Sequence, residues 1–328
     1  MRNVPLDPAT VHAVLSLANR APSVHNSQPW RWRVSSSTIE LLADVSRALP
    51  TVDPDGRDLQ LSCGAALHHL QVALRAFGRA GEVRRLPDPS RPEHLASVET
   101  HARAATAGDL ALARAIDTRR SDRRVFSPRP VPADLTASLG RAAAAAGAEL
   151  RVLSPGEQWD VVRLVERAGV EQSLIPGLND EVAAWSGRSR GARDGVPTAN
   201  VPGDVAAAVP VRYFAGQGLA QSQLGVLESD GSLLVLVHTA DDQPLDRLRA
   251  GEALSAVLLE AERAGLATCP LTQPLEVADT RARLAAELLP EGGSPQVLLR
   301  LGWAPVGAAS VPRTGRRLVE DTVEHGGG

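Results

Sequence analysis

Residues 21–30 read APSVHNSQPW, a polar loop that contains two prolines and ends in a tryptophan. Before this loop, Asp7 and Pro8 form a helix start, and apolar residues then recur at helical spacing. After it, residues 30–34 (WRWRV) alternate apolar and cationic side chains, as in a strand covered on one face. We predict a helix over 8–19, a strand over 30–34 and a rigid loop between them. Its serine, asparagine and glutamine groups suit a planar heterocycle; an ordinary polar turn is the alternative.

The order of predicted elements in the first third of the chain returns later. A helix over 131–146 and a strand over 149–153 repeat the helix and strand that flank the polar loop. An amphipathic helix over 58–78 has its counterpart in a helix over 251–264, which a strand over 295–301 follows. The number of residues between matching segments of the two copies is greater for the two long helices than for the two first helices. The second copy therefore contains an insert. We expect this insert near 165–230 to act as a lid or binding loop, with partial disorder as the alternative.

The sequence therefore predicts an α+β fold of two tandem copies, residues 1–115 and 116–328, that pack together as an intrachain pseudo-dimer. Only the first copy has the polar loop, because the matching stretch of the second is a short run of alanine and glycine. Only the second is preceded by a cationic connector, residues 118–124 (TRRSDRR). The two copies would thus build one complete composite site and one empty one. Elsewhere we expect weak helical segments over 92–117 and a turn at Cys269.

Composition excludes several classes of function. The 35 basic residues, all arginine, nearly balance 38 acidic ones, which argues against a nucleic-acid partner held by bulk charge. The absence of lysine excludes Schiff-base enzymes and Walker A phosphate loops. Two distant cysteines form no metal or redox motif, and the longest aliphatic run, LLVLV at 233–237, is too short to cross a membrane. We predict a cytoplasmic protein with reduced thiols, no membrane partner and no metal site.

One catalytic motif has a weak match. Residues 187–191 (GRSRG) fit the GxSxG pattern of serine hydrolases, in which the nucleophile would be Ser189. Such a nucleophile needs a strand before it and a helix after it, whereas a helical segment, EVAAWS, comes first here. His68 and His69 are adjacent on a predicted helix and point about 100° apart, so they cannot chelate one metal together. A serine hydrolase is therefore a minor alternative.

Several segments resemble one family. Residues 21–30 are similar to the loop of FMN-dependent nitroreductases, approximately APSxxNxQPW. Residues 120–126 (RSDRRVF) resemble that family's phosphate segment, and residues 264–270 and 295–303 resemble its late helix-to-turn segment and closing strand. The order and duplication most resemble the Acg-type branch, in which two nitroreductase-like halves of α/β/α layers are fused.

This resemblance implies a single FMN site between the two halves. Its implied residues belong to the polar loop, the cationic connector, the late turn and the basic tail: Ser23, His25, Asn26 and Gln28; Arg120, Ser121 and Arg124; Pro270, Leu271 and Thr272; Arg313 and Arg316. The loop would contact the ring and ribityl chain, the arginines the phosphate, and residues 270–272 the ring.

The implied function is an NAD(P)H-dependent reductase of nitroaromatics, quinones or similar small-molecule electron acceptors, with NAD(P)H as the electron donor. Because the flavin carries the chemistry, no side-chain general base is needed and no catalytic residue is predicted. The alternative is a flavoprotein that stores or shields FMN beneath the insert, with little or no turnover. The chain would be a monomer with an internal pseudo-dimer, or a homodimer.

Overall fold

Each half of the chain builds a four-stranded antiparallel sheet, and the two sheets have the same strand order. These are features of a computed structural model that describes residues 5–203, 209–210, 212–221 and 230–324. The first sheet contains β1 (Trp30–Val34), β2 (Thr38–Ala43), β3 (Arg79–Arg85) and β4 (His94–Ala102), and the second contains β5 (Glu149–Val152), β6 (Leu233–Thr239), β7 (Ala267–Leu271) and β8 (Ser294–Gly302). Their orders are β1-β2-β4-β3 and β5-β6-β8-β7. The α+β fold with two tandem copies is confirmed.

The helices follow the same duplication. They are α1 (Pro8–Ala18), α2 (Arg57–Ala76), α3 (Ala107–Thr118), α4 (Ala133–Ala145), α5 (Pro155–Ser173), α6 (Leu178–Ala184), α7 (Pro244–Arg263), α8 (Gln273–Glu276) and α9 (Ala278–Leu288). Helices α1 and α4 precede the first strands of their sheets, and α2 and α7 each connect the second strand to the third. Among the described residues, no helix combines the length and the apolar character that crossing a membrane requires.

The first core forms around the two tryptophans of β1. Trp30 and Trp32 are fully buried, and both indole groups donate to Oδ1 of Asn19, over 3.0 and 2.9 Å. Asn19 follows α1, whose start is capped by Asp7 as the sequence predicts. The shared acceptor satisfies two buried N–H groups at once and fixes the strand against the helix. The predicted helix over 8–19 and strand over 30–34 are thus confirmed within one residue.

The two halves meet where α2 and α7 cross. A Cβ on Gly64 would lie 2.1 Å from the carbonyl oxygen of Leu248, and one on Gly251 would lie 2.0 Å from that of Leu61. The two backbones are therefore in direct contact, which only glycine permits. The two glycines occupy matching positions in the two copies, so the crossing is nearly symmetric. This crossing line is called the seam below.

Two local predictions are wrong. Residues 94–102 form β4 rather than helix. Ala96, Val98 and Thr100 are buried and alternate with the partly exposed Ser97 and Glu99, but small and polar residues on the buried side weaken the hydrophobic alternation in the sequence. Cys269 lies in β7, an edge strand, rather than in a turn, and its neighbour Pro270 is tolerated at such an edge.

The insert in the second copy is partly regular. Residue 165, where it was predicted to begin, lies inside α5, and α6 follows before an irregular stretch with a short 3-10 turn at Thr198–Asn200. Residues 204–208, 211 and 222–229 lie outside the described part of the chain. The boundary at residue 115 stays a prediction; that position is within α3.

The end of the chain returns to the first half. The amide of Trp32 donates to the carbonyl of Thr322 over 2.7 Å, and the amide of Glu324 donates to Trp32 over 2.8 Å. Val319 packs in the first core. We call residues 313–324 the C-terminal strap; it includes Arg313 and Arg316.

The glycine crossing generates a stability prediction. Gly64→Ala should lower the free energy of unfolding by about 3 kcal/mol or more, because the added methyl group meets a backbone oxygen that cannot rotate away. Urea denaturation followed by circular dichroism measures this loss. The matched control is Gly140→Ala in α4, where a Cβ would have no neighbour within 4 Å and should be neutral or stabilise by up to about 1 kcal/mol. Equal effects of the two variants would contradict the close crossing.

Candidate functional site

Two adjoining cavities lie along the seam. The apolar cavity is lined by Pro22, Ser23, Val24, His25, Leu61, Ser62, Ser121, Arg123, Arg212, Phe214, Leu254, Cys269, Pro270, Leu271, Thr272 and Gln273. The arginine cavity is lined by Arg20, Pro22, Ser23, His25, Asn26, Ile116, Arg119, Arg120, Ser121, Arg123, Gly195, Val196, Pro197, Asn200, Arg313, Thr314 and Arg316. Five residues, among them Ser23 and Arg123, belong to both. The two cavities therefore form one continuous site with an apolar end and a cationic end.

The polar loop after α1 is held in a strained conformation. His25, Asn26 and Gln28 have positive φ angles of 51°, 56° and 53°, which are uncommon for residues with a side chain. The side-chain amide of Asn26 donates, through Nδ2, to the backbone carbonyls of Gly195 over 3.1 Å and Gly315 over 3.3 Å. The insert and the C-terminal strap thus hold the loop in this conformation, so that Ser23, His25 and Asn26 line the site.

The walls of the apolar cavity come from both copies. Leu61 and Ser62 belong to α2 of the first copy, whereas Leu254 belongs to α7 and residues 269–272 to the end of β7 in the second. Because α2 and α7 are in backbone contact at the seam, these walls cannot separate without breaking the crossing. The arrangement gives a cleft with mainly aliphatic sides, suited to a flat, largely apolar group.

Two residues of the insert, Arg212 and Phe214, line the apolar cavity. Arg212 forms an ion pair with the buried carboxylate of Glu276, and its guanidinium lies 2.6 Å from Nε2 of His25. Burial, and then the charges of Arg212 and Arg123, lower the pKa of His25 well below its ordinary value. His25 is therefore neutral and accepts from Arg212 through Nε2. Phe214 meets the imidazole edge to face at 5.5 Å.

The arginine cavity concentrates positive charge away from water. Besides Arg123, five arginines line this cavity: Arg20, Arg119, Arg120, Arg313 and Arg316. Burial and then neighbouring positive charges lower the pKa of Arg20 and of Arg119 to about 10, and the same causes lower the pKa of Arg316 well below its ordinary value. Asp117 forms ion pairs with Arg20 and Arg313.

Several buried donors in this cavity have no acceptor. Within the described part of the chain, no hydrogen-bond partner is found for Nε of Arg119, Arg120 or Arg316. A buried cation with an unused N–H is costly unless an anion binds there. Guanidinium groups also match the oxygens of phosphate in geometry. The arginine cavity therefore has the donor set of a site for a phosphate group.

Ten of the twelve residues implied by the sequence resemblance line these cavities. They are Ser23, His25, Asn26, Arg120, Ser121, Pro270, Leu271, Thr272, Arg313 and Arg316. Their role toward FMN stays a prediction. The structure does not bring Gln28 or Arg124 to either cavity.

Gln28 and Arg124 have structural contacts instead. Gln28 donates to the carbonyl of Arg193 over 2.8 Å and accepts from the amide of Arg317, so it joins the insert to the strap. Arg124 forms a bidentate ion pair with Asp122, at 2.9 and 2.7 Å. The connector is extended beside Thr268, and alternate side chains point to opposite sides. Ser121 and Arg123 therefore reach the site, whereas Asp122 and Arg124 point away from it.

Sequence reasoning missed Arg123, Arg212 and Phe214. The cationic connector was recognised, but four arginines in six residues do not show which of them face the site. Alternation along an extended segment was the available signal for Arg123. No signal in the sequence indicated Arg212 or Phe214, because the irregular insert has no periodic pattern.

The structure also bears on the other motifs. Residues 187–191 follow α6 and precede the 3-10 turn, so the described chain has no strand before Ser189 and no nucleophile turn there. Nδ1 of His68 lies 2.8 Å from Oγ of Ser255, and Nδ1 of His69 lies 3.4 Å from the carbonyl of Leu17, inside the helix packing. No group of three or more potential metal-binding side chains occurs among the residues that the structure describes.

Comparison with known proteins gives consistent matches. The model of the Nitroreductase family matches residues 116–303. A Mycobacterium tuberculosis protein named "Putative NAD(P)H nitroreductase Rv3131" is 44% identical over 97% of this chain and 92% of its own length. Another from that organism, "Putative NAD(P)H nitroreductase acg", is 34% identical over 95% and 94%. The solved structure of the FMN-dependent nitroreductase NfnB from Mycobacterium smegmatis, in complex with NADPH, has 18% identity, a TM-score of 0.40 and coverage of 66% of this chain and 98% of that one.

The arginine cavity generates a prediction for protein that carries no flavin. Inorganic phosphate at ten times its dissociation constant should raise the melting temperature by roughly 2–4 °C over sodium chloride of equal ionic strength. Arg316→Gln should abolish most of this rise, because it removes a buried cation with an unused donor.

The matched control for this experiment is Arg163→Gln, which removes one positive charge from an exposed side chain on α5. It should leave the phosphate effect unchanged. A phosphate effect of the same size in all three proteins would show that the anion acts through net charge rather than in this cavity.

Proposed function

Because the chain belongs to the nitroreductase family, we propose that it binds one FMN at the seam and oxidises NAD(P)H to reduce small-molecule acceptors such as nitroaromatics or quinones. One observation carries the proposal. A cluster of arginines, several with buried unused donors, opens directly onto a mainly apolar cavity between two halves of one chain. A phosphorylated, largely apolar redox ring has matching chemistry at its two ends.

The residues present fit FMN. Arg119, Arg120 and Arg316 would hold its phosphate, which carries nearly two negative charges, and Arg123 would stand between phosphate and ring. Leu61 on one wall and Leu271 on the other would enclose the ring. When bound, FMN supplies hydride chemistry, since it can accept hydride from a nicotinamide and pass electrons to an acceptor. The protein itself binds, orients and excludes water.

His25 and Asn26 add polar contacts at the junction of the two cavities. His25 is neutral, so it adds no charge beside Arg123, and its Nδ1 has no hydrogen-bond partner among the described residues. Oδ1 of Asn26 is also buried and without such a partner. One free donor and one free acceptor are thus available to the polar edge of the ring or to the ribityl hydroxyl groups. No proton-transferring side chain is assigned.

The near-symmetric crossing of α2 and α7 creates two related positions, one on each side of the seam. The second of these positions explains why one site per chain is proposed. When Gly64 is matched with Gly251, Ser62 in the proposed site corresponds to Arg249 in the second position. The side chain of Arg249 lies beside Gly147, where a Cβ would be only 3.0 Å from its Cδ. Gly147 belongs to the short turn that takes the place of the polar loop. Arg249 therefore lies against the turn at the second position, and this turn offers no polar side chain.

A storage flavoprotein is the second candidate function. The observation that favours it is that Arg212 of the insert lines the apolar cavity and contacts both Glu276 and His25, as a residue that covers the cavity would. Access of a nicotinamide would then require that these contacts open. Since both walls of the site come from the same chain, we propose that a monomer is functionally complete in either case.

Stoichiometry tests the proposed site. Protein purified with its flavin should release one FMN per chain on denaturation. Ser62→Arg, which introduces into the proposed site the residue found at the second position, should lower this to below about 0.1. The matched exchange, Arg249→Ser, should leave it at one. Two FMN per chain, or full occupancy of the folded Ser62→Arg protein, would contradict the assignment.

Anaerobic mixing separates the reductase from the storage protein. Addition of NADH or NADPH in excess should reduce the bound flavin and bleach its visible absorbance, at roughly 450 nm, within seconds. Subsequent addition of a quinone should restore the colour. Flavin that stays oxidised with both nucleotides would contradict turnover and favour storage.

A further inference from the structure

A third cavity lies between α5 and α6 and shares two residues with the apolar cavity. This side cavity has a volume of about 560 Å³, within the size range of small-molecule sites. Gln273 and Arg212 line both spaces, so the side cavity continues from the site proposed for the flavin ring. Nothing in the proposed binding of FMN uses it.

The larger part of the surface of the side cavity is apolar, although polar side chains such as Gln172, Asn179 and Ser186 also line it. Val165 and Gly169 of α5 face Leu178 and Val182 of α6 across it, and Pro210 closes one side. Gly169 leaves room in particular, because the nearest neighbour of a Cβ there would be Nε2 of Gln273 at 3.6 Å. Such a space gains most from an apolar occupant.

An exposed aromatic residue also lines the side cavity. Tyr213 is 78% exposed, so its ring adds apolar surface where the cavity meets solvent.

The charges of the side cavity argue against a dinucleotide or an anionic ligand. Among its described lining residues, Arg212 is the one cation, and Glu276 already neutralises it. Glu166 adds a negative charge at the edge. A pyrophosphate would find no free positive partner there, in contrast to the arginine cavity.

We propose that the side cavity binds the aliphatic tail of a neutral quinone whose ring is directed toward the apolar cavity past Arg212 and Gln273. The inference rests on the proposed function and specifies its acceptor class: quinones with an alkyl or prenyl chain. The reaction balances as NAD(P)H, one proton and the quinone giving NAD(P)⁺ and the hydroquinone. Two electrons pass to the quinone, and one of its two added protons comes from solvent.

Binding and turnover of two matched quinones test this proposal. The probes are 2-methyl-1,4-naphthoquinone and the same ring with an added hexyl chain. Equilibrium dialysis against the oxidised protein, without nicotinamide, should show at least tenfold tighter binding of the hexyl compound, because each buried methylene contributes about fourfold. Its KM should fall in the same proportion.

Filling the side cavity should remove that preference. Gly169→Leu places a side chain in the cavity without a backbone clash, so it should cost the hexyl compound most of its advantage. The KM for the methyl compound should stay within twofold of wild type. The matched control in the same helix is Gly156→Leu, where a Cβ has no neighbour within 4 Å, and it should change neither quinone.

The outcomes distinguish the inference from the function on which it rests. Turnover of the methyl quinone without a tail preference, or a preference that survives Gly169→Leu, would overturn the inference alone. Displacement of the hexyl compound by ADP would identify a dinucleotide site and overturn it as well. A protein without turnover that still binds the hexyl chain through Gly169 would support the tail site, although the reductase function would be wrong.

Discussion

The contact between Gly64 and Gly251 is the constraint on which the rest of the structure depends. It lets α2 and α7 cross with their backbones touching, and it thereby sets the distance between the two halves. The polar loop of the first half then lies opposite the connector and the end of β7 from the second. A side chain at either glycine would separate these segments by roughly the width of a methyl group, and the walls of both cavities would move apart with them.

The concentration of arginine at one end of the site is the main electrostatic feature of the molecule. A chain with a formal net charge of −3 nevertheless gathers its cations where burial lowers the pKa of several of them. Different contacts hold the segments that carry these arginines. The connector pairs with Thr268, and the C-terminal strap forms backbone hydrogen bonds with Trp32. The positive charges of these arginines repel one another, and this repulsion destabilises the empty cavity. A bound phosphate would reduce the repulsion.

Local patterns predicted the parts of the fold that depend on local rules. The Asp7 cap, the amphipathic α2 and the alternation in β1 each satisfy a short-range requirement, and each was found as expected. Strand β4 was missed because its buried positions include Ala96 and Thr100, whose small or polar side chains give little hydrophobic alternation. Cys269 was assigned to a turn because a proline in an edge strand resembles a turn. The site segments that the family resemblance indicates line the two cavities, and their role toward FMN stays a prediction. The resemblance could not separate Arg123 from Arg124, since that choice depends on the pairing of the connector with β7, and it gave no information on how the insert folds over the site.

The central claim of this account is an asymmetry between the two sides of the seam: we propose that one side is the FMN site, whereas on the other side Arg249 lies against Gly147. A crystal structure of the flavin-loaded protein tests it most directly. We predict electron density for a single FMN per chain, with its phosphate in hydrogen-bond contact with Arg120 and Arg316 and its ring between Leu61 and Leu271. Flavin density beside Gly147, or a phosphate remote from both arginines, would contradict the account.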